Sequence, residues 1–150
     1  RGLAKMDLKQ YQDAIKDFTK VIEIDPYFDN AYYHRGLAKM DLKQYQDAIK
    51  DFTKVIEIDP YFDDAYYRRG LAKMELKQYQ DAEEDITKIK ELDQYQNAVD
   101  DLSKLLETYP NDVNCLSLRA SAKRKLGDNE GADEDDKKAD QLKKLGKKYD

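Results

Sequence analysis

Two pairs of carboxylates, Asp13–Asp17 and Asp47–Asp51, stand four residues apart. On a helix that spacing puts both members on one face, as a general acid/base pair would need. The pairs recur identically along the chain, and an active site occurs once whereas a solvated surface repeats. They are therefore read as the outward, solvated face of a helix. The single histidine, His34, would have to serve any Ser–His or Cys–His arrangement. Its counterpart in the next copy of the repeat set out below is Arg68, so it is read as a surface or groove residue. Cys115 has no CxxC or histidine companion and is read as a partly buried packing residue. The stretch GDNEGADEDD (127–136) echoes a calcium loop, but its glycine falls fourth from Asp128, not sixth. It reads better as a helix start whose acids suit the N-terminal dipole, with Lys137 and Lys138 within reach of Asp133 and Glu134. No enzyme, metal or cofactor is expected.

Composition narrows the partners. The 150 residues are 39% charged and 40% hydrophobic with a net charge of −5, so the apolar residues must be well placed for the chain to fold. Residues 1–62 carry 10 basic and 11 acidic side chains, and residues 63–150 carry 17 and 21. Neither part has the basic excess that neutralises a phosphate backbone, which argues against nucleic acid. The basic tail KKLGKKYD reads as a solubilising cap. A lone cysteine excludes an internal disulfide and fits a reducing, cytoplasmic setting. No apolar run approaches the roughly 18–20 residues that cross a bilayer, so no membrane partner is expected. Arg1 falls inside a repeat, and the chain reads as a fragment whose upstream targeting cannot be judged.

The elements that position these residues come from an internal repeat. Residues 1–30 recur at 35–64 with one change, Asn30 becoming Asp64, and a third, diverging copy starts at Arg69. Gly2, Gly36 and Gly70 are 34 apart, as are Tyr11, Tyr45 and Tyr79. Each unit reads as two helices. In the first, Tyr66, Gly70, Leu71 and Met74 share a face. In the second, Tyr45, Ala48, Ile49, Phe52, Val55 and Ile56 form a broad stripe, with Lys50, Asp51 and Lys54 opposite. Asp-Pro at 25–26 and 59–60 ends the second helix. One hairpin cannot cover its own stripe, so stacking on the next repeat buries the core.

These residues resemble the tetratricopeptide repeat (TPR) family. With each unit numbered from Asp29 or Asp63, the signature falls on Tyr32 and Tyr66, Gly36 and Gly70, Tyr45 and Tyr79, Ala48 and Ala82, Phe52 and Ile86, then Pro60. Arg35 and Arg69, Lys39 and Lys73, and Lys43 and Lys77 depart from it, standing where the family often has an aliphatic, an aromatic and a glycine. The resemblance implies an all-α, right-handed superhelical solenoid of antiparallel helical hairpins over 1–150. Its units are a partial repeat at 1–28, repeats at 29–62 and 63–93, a truncated repeat at 94–112, and a last repeat with C-terminal helix at 113–150.

The period breaks once. Tyr95 opens another second helix less than half a period after Tyr79, although the period places the next one at Val113, so a loop and a first helix are absent. Beyond it the phase is regular, with Leu116 and Ala120 at the aromatic and small positions and Ala132 and Ala139 on the final helix. No Gly or Pro lies between Gly70 and Pro110, and Tyr79, Ala82, Ile86, Ile89, Leu92, Tyr95, Val99, Leu102 and Leu106 keep a 3/4 spacing. One fused helix over 79–108 is favoured. The alternatives are a new helix capped by Asp93, with Gln96 three residues on, and a deletion.

The family resemblance further implies a concave face lined by first helices that receives a peptide. The matching positions are Leu3 and Met6; Asn30, Tyr33, His34, Leu37, Met40 and Asp41; and Asp64, Tyr67, Arg68, Leu71, Met74 and Glu75. Leu37 and Met40 could equally pack between helices, whereas Tyr33 and Tyr67 are the favoured anchors. One family subset clamps the C-terminal carboxylate of chaperones. Here Leu3 and His34 stand where asparagines are expected and Asp64 where a lysine is. Only Arg68 agrees, so chaperone-tail binding is disfavoured. The expected function is a non-enzymatic scaffold binding a peptide in this groove. The alternative is a structural module that self-associates through the long helix or exposed end repeats, which the 29-in-30 identity of two copies suits.

Overall fold

The computed structural model describes residues 2–149, with side chains from Leu8 to Gly146. The described residues form seven helices and no strand: α1 (Gly2–Ile24), α2 (Asp29–Asp41), α3 (Tyr45–Ile58), α4 (Asp63–Glu75), α5 (Tyr79–Thr108), α6 (Val113–Lys125) and α7 (Asn129–Tyr149). The favoured long helix over the shortened repeat is present as α5. Two compact units follow from the packing, Arg1–Ile89 and Lys90–Asp150.

In the first unit α1 packs on α2, α2 on α3 and α3 on α4, and α2 also touches α4. Its core joins Tyr32, Val55 and Ala65, so a second-helix valine lies between its own first helix and the following one. Gly36 is needed here for space: a Cβ would come within 2.7 Å of the Phe52 ring. The corners are tied the same way twice. Asp25 accepts the Tyr27 N–H and the Tyr32 hydroxyl donates to the Pro26 carbonyl at 3.0 Å; Asp59, Tyr61, Tyr66 and Pro60 repeat this, the last bond at 2.9 Å. In the second unit α6 packs on α7. Leu106, Leu116 and Ala139 form its core, flanked by Val113, Cys115 and Leu142. Asp112 caps α6 by accepting the Cys115 N–H at 3.0 Å.

The turn between first and second helix is a Schellman motif. Gln44 N–H donates to the Lys39 carbonyl and Lys43 N–H to that of Met40, and the pattern recurs at 73–78 and 123–128. The residue in the left-handed region is Lys43 (φ 61), Lys77 (φ 62) and Gly127 (φ 83). The lysines that depart from the family glycine therefore carry backbone strain.

Two expectations are corrected. The first copy does not form a hairpin, because DLKQ at 7–10 continues α1 whereas the identical DLKQ at 41–44 ends α2 and turns into α3. Placing Lys43 in the left-handed region is costly, and the packing of α2 on α3 offsets that cost; without an equivalent offset the helix runs on. The second correction concerns Asp51, which is not on a solvated face but 3% exposed. Arg35 donates to it from Nε (2.9 Å) and Nη2 (2.7 Å), and Lys39 Nζ approaches at 3.0 Å. Arg35 Nη1 also donates to Thr19 Oγ1 on the preceding second helix at 3.1 Å.

That ladder recurs in both units. Arg69 and Lys73 hold Asp85 with Thr53 behind, and Arg119 and Lys123 hold Asp135 with Ser103 behind. So Arg35, Lys39, Arg69 and Lys73, which depart from the family pattern, are the partners of a buried aspartate, and each arginine stitches one repeat to the one before. Asp13, Asp17 and Asp47 are exposed, as expected. In α7 the acids pair with Arg124, which reaches Asp133 at 3.1 Å and also Asp136, rather than through Lys137 and Lys138.

Candidate functional site

The first unit carries an open trough of about 400 Å³ lined by Leu37, Met40 and Asp41 of α2, Tyr45 at the start of α3, and Arg68, Leu71 and Glu75 of α4. Helical spacing of three and four residues brings each helix's contribution onto one face. Leu37, Met40 and Leu71 are half-buried, while Asp41 and Glu75 are exposed. The Arg68 guanidinium lies 5.6 Å from the Tyr67 ring centre, and its buried Nε meets no hydrogen-bond partner among the described residues. The trough thus offers an apolar floor, one cation and two flanking anions, within the size range of sites that hold a few side chains.

Six of the expected groove residues line it: Leu37, Met40, Asp41, Arg68, Leu71 and Glu75. Asn30 is exposed at the start of α2, and Asp64 is exposed at the start of α4, where its N–H donates to Asp63. Tyr33 packs inward, its ring 5.9 Å from Phe52 and 5.0 Å from Phe62. His34 is exposed and stacks on Phe18 at 5.7 Å. Tyr67 is 48% and Met74 42% exposed, outside the trough's lining. Leu3 and Met6 fall outside the described side chains. Tyr45, a member of the second-helix stripe, also lines the trough because it opens α3 at the helix–helix turn.

Acid/base chemistry finds no foothold at Asp47–Asp51, because Asp51 accepts from Arg35 and Lys39 while Asp47 faces solvent. Cys115 is half-buried, and that burial together with neighbouring Asp112 holds its thiol above the usual range, away from the thiolate a nucleophile requires. Among the described residues no cluster of His, Cys, Asp or Glu is arranged to hold a metal ion, and no helix is long and apolar enough to cross a membrane.

Stacked helical hairpins with an open trough on their first helices define a helical-repeat scaffold for protein–protein interaction. Residues 30–62 and 63–94 match the family described as Tetratricopeptide repeat, and residues 2–42 match that described as TPR repeat. The chain belongs to the tetratricopeptide repeat family. No curated protein matches it in sequence. Among solved structures, the second TPR of Spaghetti (RPAP3), bound to the HSP90 peptide SRMEEVD, is 28% identical, with a TM-score of 0.53 over 59% of this chain and 82% of that one. MamA has the same fold, with a TM-score of 0.53 at 24% identity over 99% of this chain and 77% of that one. So does MamA from Desulfovibrio magneticus RS-1, with a TM-score of 0.51 at 24% identity over 96% and 72%.

Proposed function

We propose that this protein is a non-catalytic scaffold that binds an extended peptide segment in the trough between α2 and α4. The observation carrying this reading is the convergence of Leu37, Met40 and Leu71 with Arg68, whose buried Nε has no partner among the described residues. An apolar ligand side chain would sit on the three aliphatic residues, and a ligand oxygen would take the Arg68 donor. The peptide held by the RPAP3 domain supports a peptide as the ligand class. The clamp expected of chaperone-tail binders is not matched here: His34 stacks on Phe18 and Asp64 is an anion. A segment other than a chaperone tail fits better, in a reducing compartment such as the cytoplasm.

The test is peptide display selected on the whole chain, followed by affinity measurement on Leu71→Glu and Arg68→Ala. These residues are half-buried, and circular dichroism establishes that the variants stay helical. Peptides losing about tenfold or more in affinity on either change, as expected for residues at the centre of a binding surface, support the trough. Peptides that bind both variants as well as the parent would place the working surface elsewhere.

A further inference from the structure

Three of the second-helix aspartates, Asp51, Asp85 and Asp135, are buried, and each is held by an arginine from the helix before it and by a lysine one helical turn beyond that arginine. In the second unit the stretch from Tyr95 to Thr108 is a second helix of the same pattern. Tyr95 stands at the register of Tyr45, Asp101 of Asp51, Leu102 of Phe52, Ser103 of Thr53 and Leu105 of Val55. Ser103 performs its part of the ladder, accepting from Arg119 at 3.2 Å. Asp101 does not, because the first helix that would carry its arginine and lysine is absent, and it is exposed. Leu105 is 47% exposed whereas Val55, lying between Tyr32 and Ala65, is fully buried. Ala98 and Leu102 are half-buried where Ala48 and Phe52 are fully covered.

We propose that residues Ala98–Leu105 of the second unit form a docking face for an amphipathic helix from a partner protein, one presenting arginine and lysine four residues apart on its apolar side. Such a helix occupies the place of the absent first helix. Its arginine pairs bidentately with Asp101 and its lysine adds a second ion pair, as Arg35 and Lys39 do on Asp51. An apolar or aromatic residue three positions before the arginine covers Leu105, as Tyr32, Tyr66 and Leu116 precede Arg35, Arg69 and Arg119. Charge selects the partner: a helix with an acid at the arginine position meets Asp101 with like charge and is rejected. This face is separate from the trough and on the other unit, so neither reading depends on the other.

The probe is a fluorescently labelled synthetic peptide with the sequence of residues 29–43, which contains Tyr32, Arg35 and Lys39, titrated against the full chain by anisotropy. Saturable binding is expected, weakened about tenfold or more by Asp101→Ala and also weakened by Leu105→Ala. A peptide with Arg35→Glu binds the parent poorly and regains affinity on Asp101→Lys. Asp101 is exposed and unpaired with any first helix, so unchanged melting of its variants separates lost docking from lost folding. Asp47→Ala, an exposed acid of α3 outside this register, is the control. The proposal is overturned by an absence of saturation up to about 1 mM, by binding that survives Asp101→Ala, or by binding that depends on Asp47 instead. Sedimentation showing dimers of the parent that dissolve on Asp101→Lys would likewise overturn it, because a second copy would then occupy the face.

Discussion

Arg35 and Asp51 meet side by side, Nε to Oδ2 at 2.9 Å and Nη2 to Oδ1 at 2.7 Å, with the carboxylate almost fully buried between two helices. A paired geometry of this kind is strong when complete and damaging when halved, because the surviving charge stays out of water. Asp51→Ala leaves Arg35 and Lys39 facing no anion and should cost about 3–5 kcal/mol. Asp101→Ala, at the same register but exposed, should change stability by less than about 0.5 kcal/mol. Urea denaturation of both variants checks the contrast; equal losses would mean that burial of Asp51 is not what matters.

The equivalent group in the second unit gives a pH dependence. Burial by itself would raise the Asp135 pKa, but hydrogen bonds from Arg119 and Lys123 and their charges outweigh it and hold the carboxyl below its ordinary value of 3.8. The unfolded chain therefore binds this proton more readily than the folded one. The stabilisation is complete above the ordinary carboxylate range and is lost as pH falls from there through the folded value. Thermal melts at neutral pH and below pH 4 should show a penalty for Asp135→Asn that shrinks on acidification. A penalty that grows at low pH would reverse the sign of the coupling.

Lys43 at φ 61 and Lys77 at φ 62 occupy the backbone region that Gly127 occupies in the last hairpin. Lys43→Gly should stabilise the protein by about 1 kcal/mol through relief of the left-handed strain. Gly127→Ala should destabilise by a similar amount. Melting temperatures that move the other way would show that the lysine side chains contribute more than the backbone loses.

Gly36 and Gly70 share a register but not an environment. A Cβ on Gly36 would lie 2.7 Å from the fully buried Phe52 ring, whereas on Gly70 its nearest neighbours stand at 3.6 Å, with Ile86 in place of the phenylalanine. Gly36→Ala should cost about 1–3 kcal/mol through overpacking. Gly70→Ala should be neutral or gain up to about 1 kcal/mol from helix propensity. Chemical denaturation of the two variants separates them, and the same response from both would refute the contact-based explanation.

Much of the fold was legible because it follows from local periodicity. The recurrence of Gly2, Gly36 and Gly70, the second-helix stripe around Ala48, Phe52 and Val55, and the Asp-Pro stops determine where α3 and α4 lie. The unbroken 3/4 spacing of apolar residues from Tyr79 to Leu106, with no Gly or Pro among them, made the run of α5 legible. The trough's lining was legible in part: Leu37, Met40, Leu71 and Arg68 stand at positions that the tetratricopeptide resemblance implies for a concave face. Sequence pattern favours Tyr33 as a groove anchor because Tyr32 fills the core aromatic position, yet the Tyr33 ring turns toward Phe52 and Phe62.

Tertiary structure alone decided three things. Asp51 looks like a surface acid on a helical wheel, because a wheel knows only its own helix; its burial depends on Arg35 and Lys39 arriving from another. A joint reading of the arginine, lysine and aspartate recurrences could have suggested the pairing. The sequence DLKQ is a helix at 7–10 and a turn at 41–44, so no local propensity can choose between the two states; the choice rests on whether helix packing offsets a lysine in left-handed backbone. Finally, Leu105 and Val55 share a register and an apolar character. Only the packed structure shows one covered on both sides and the other half open, since burial belongs to the neighbours a residue acquires and not to the residue itself.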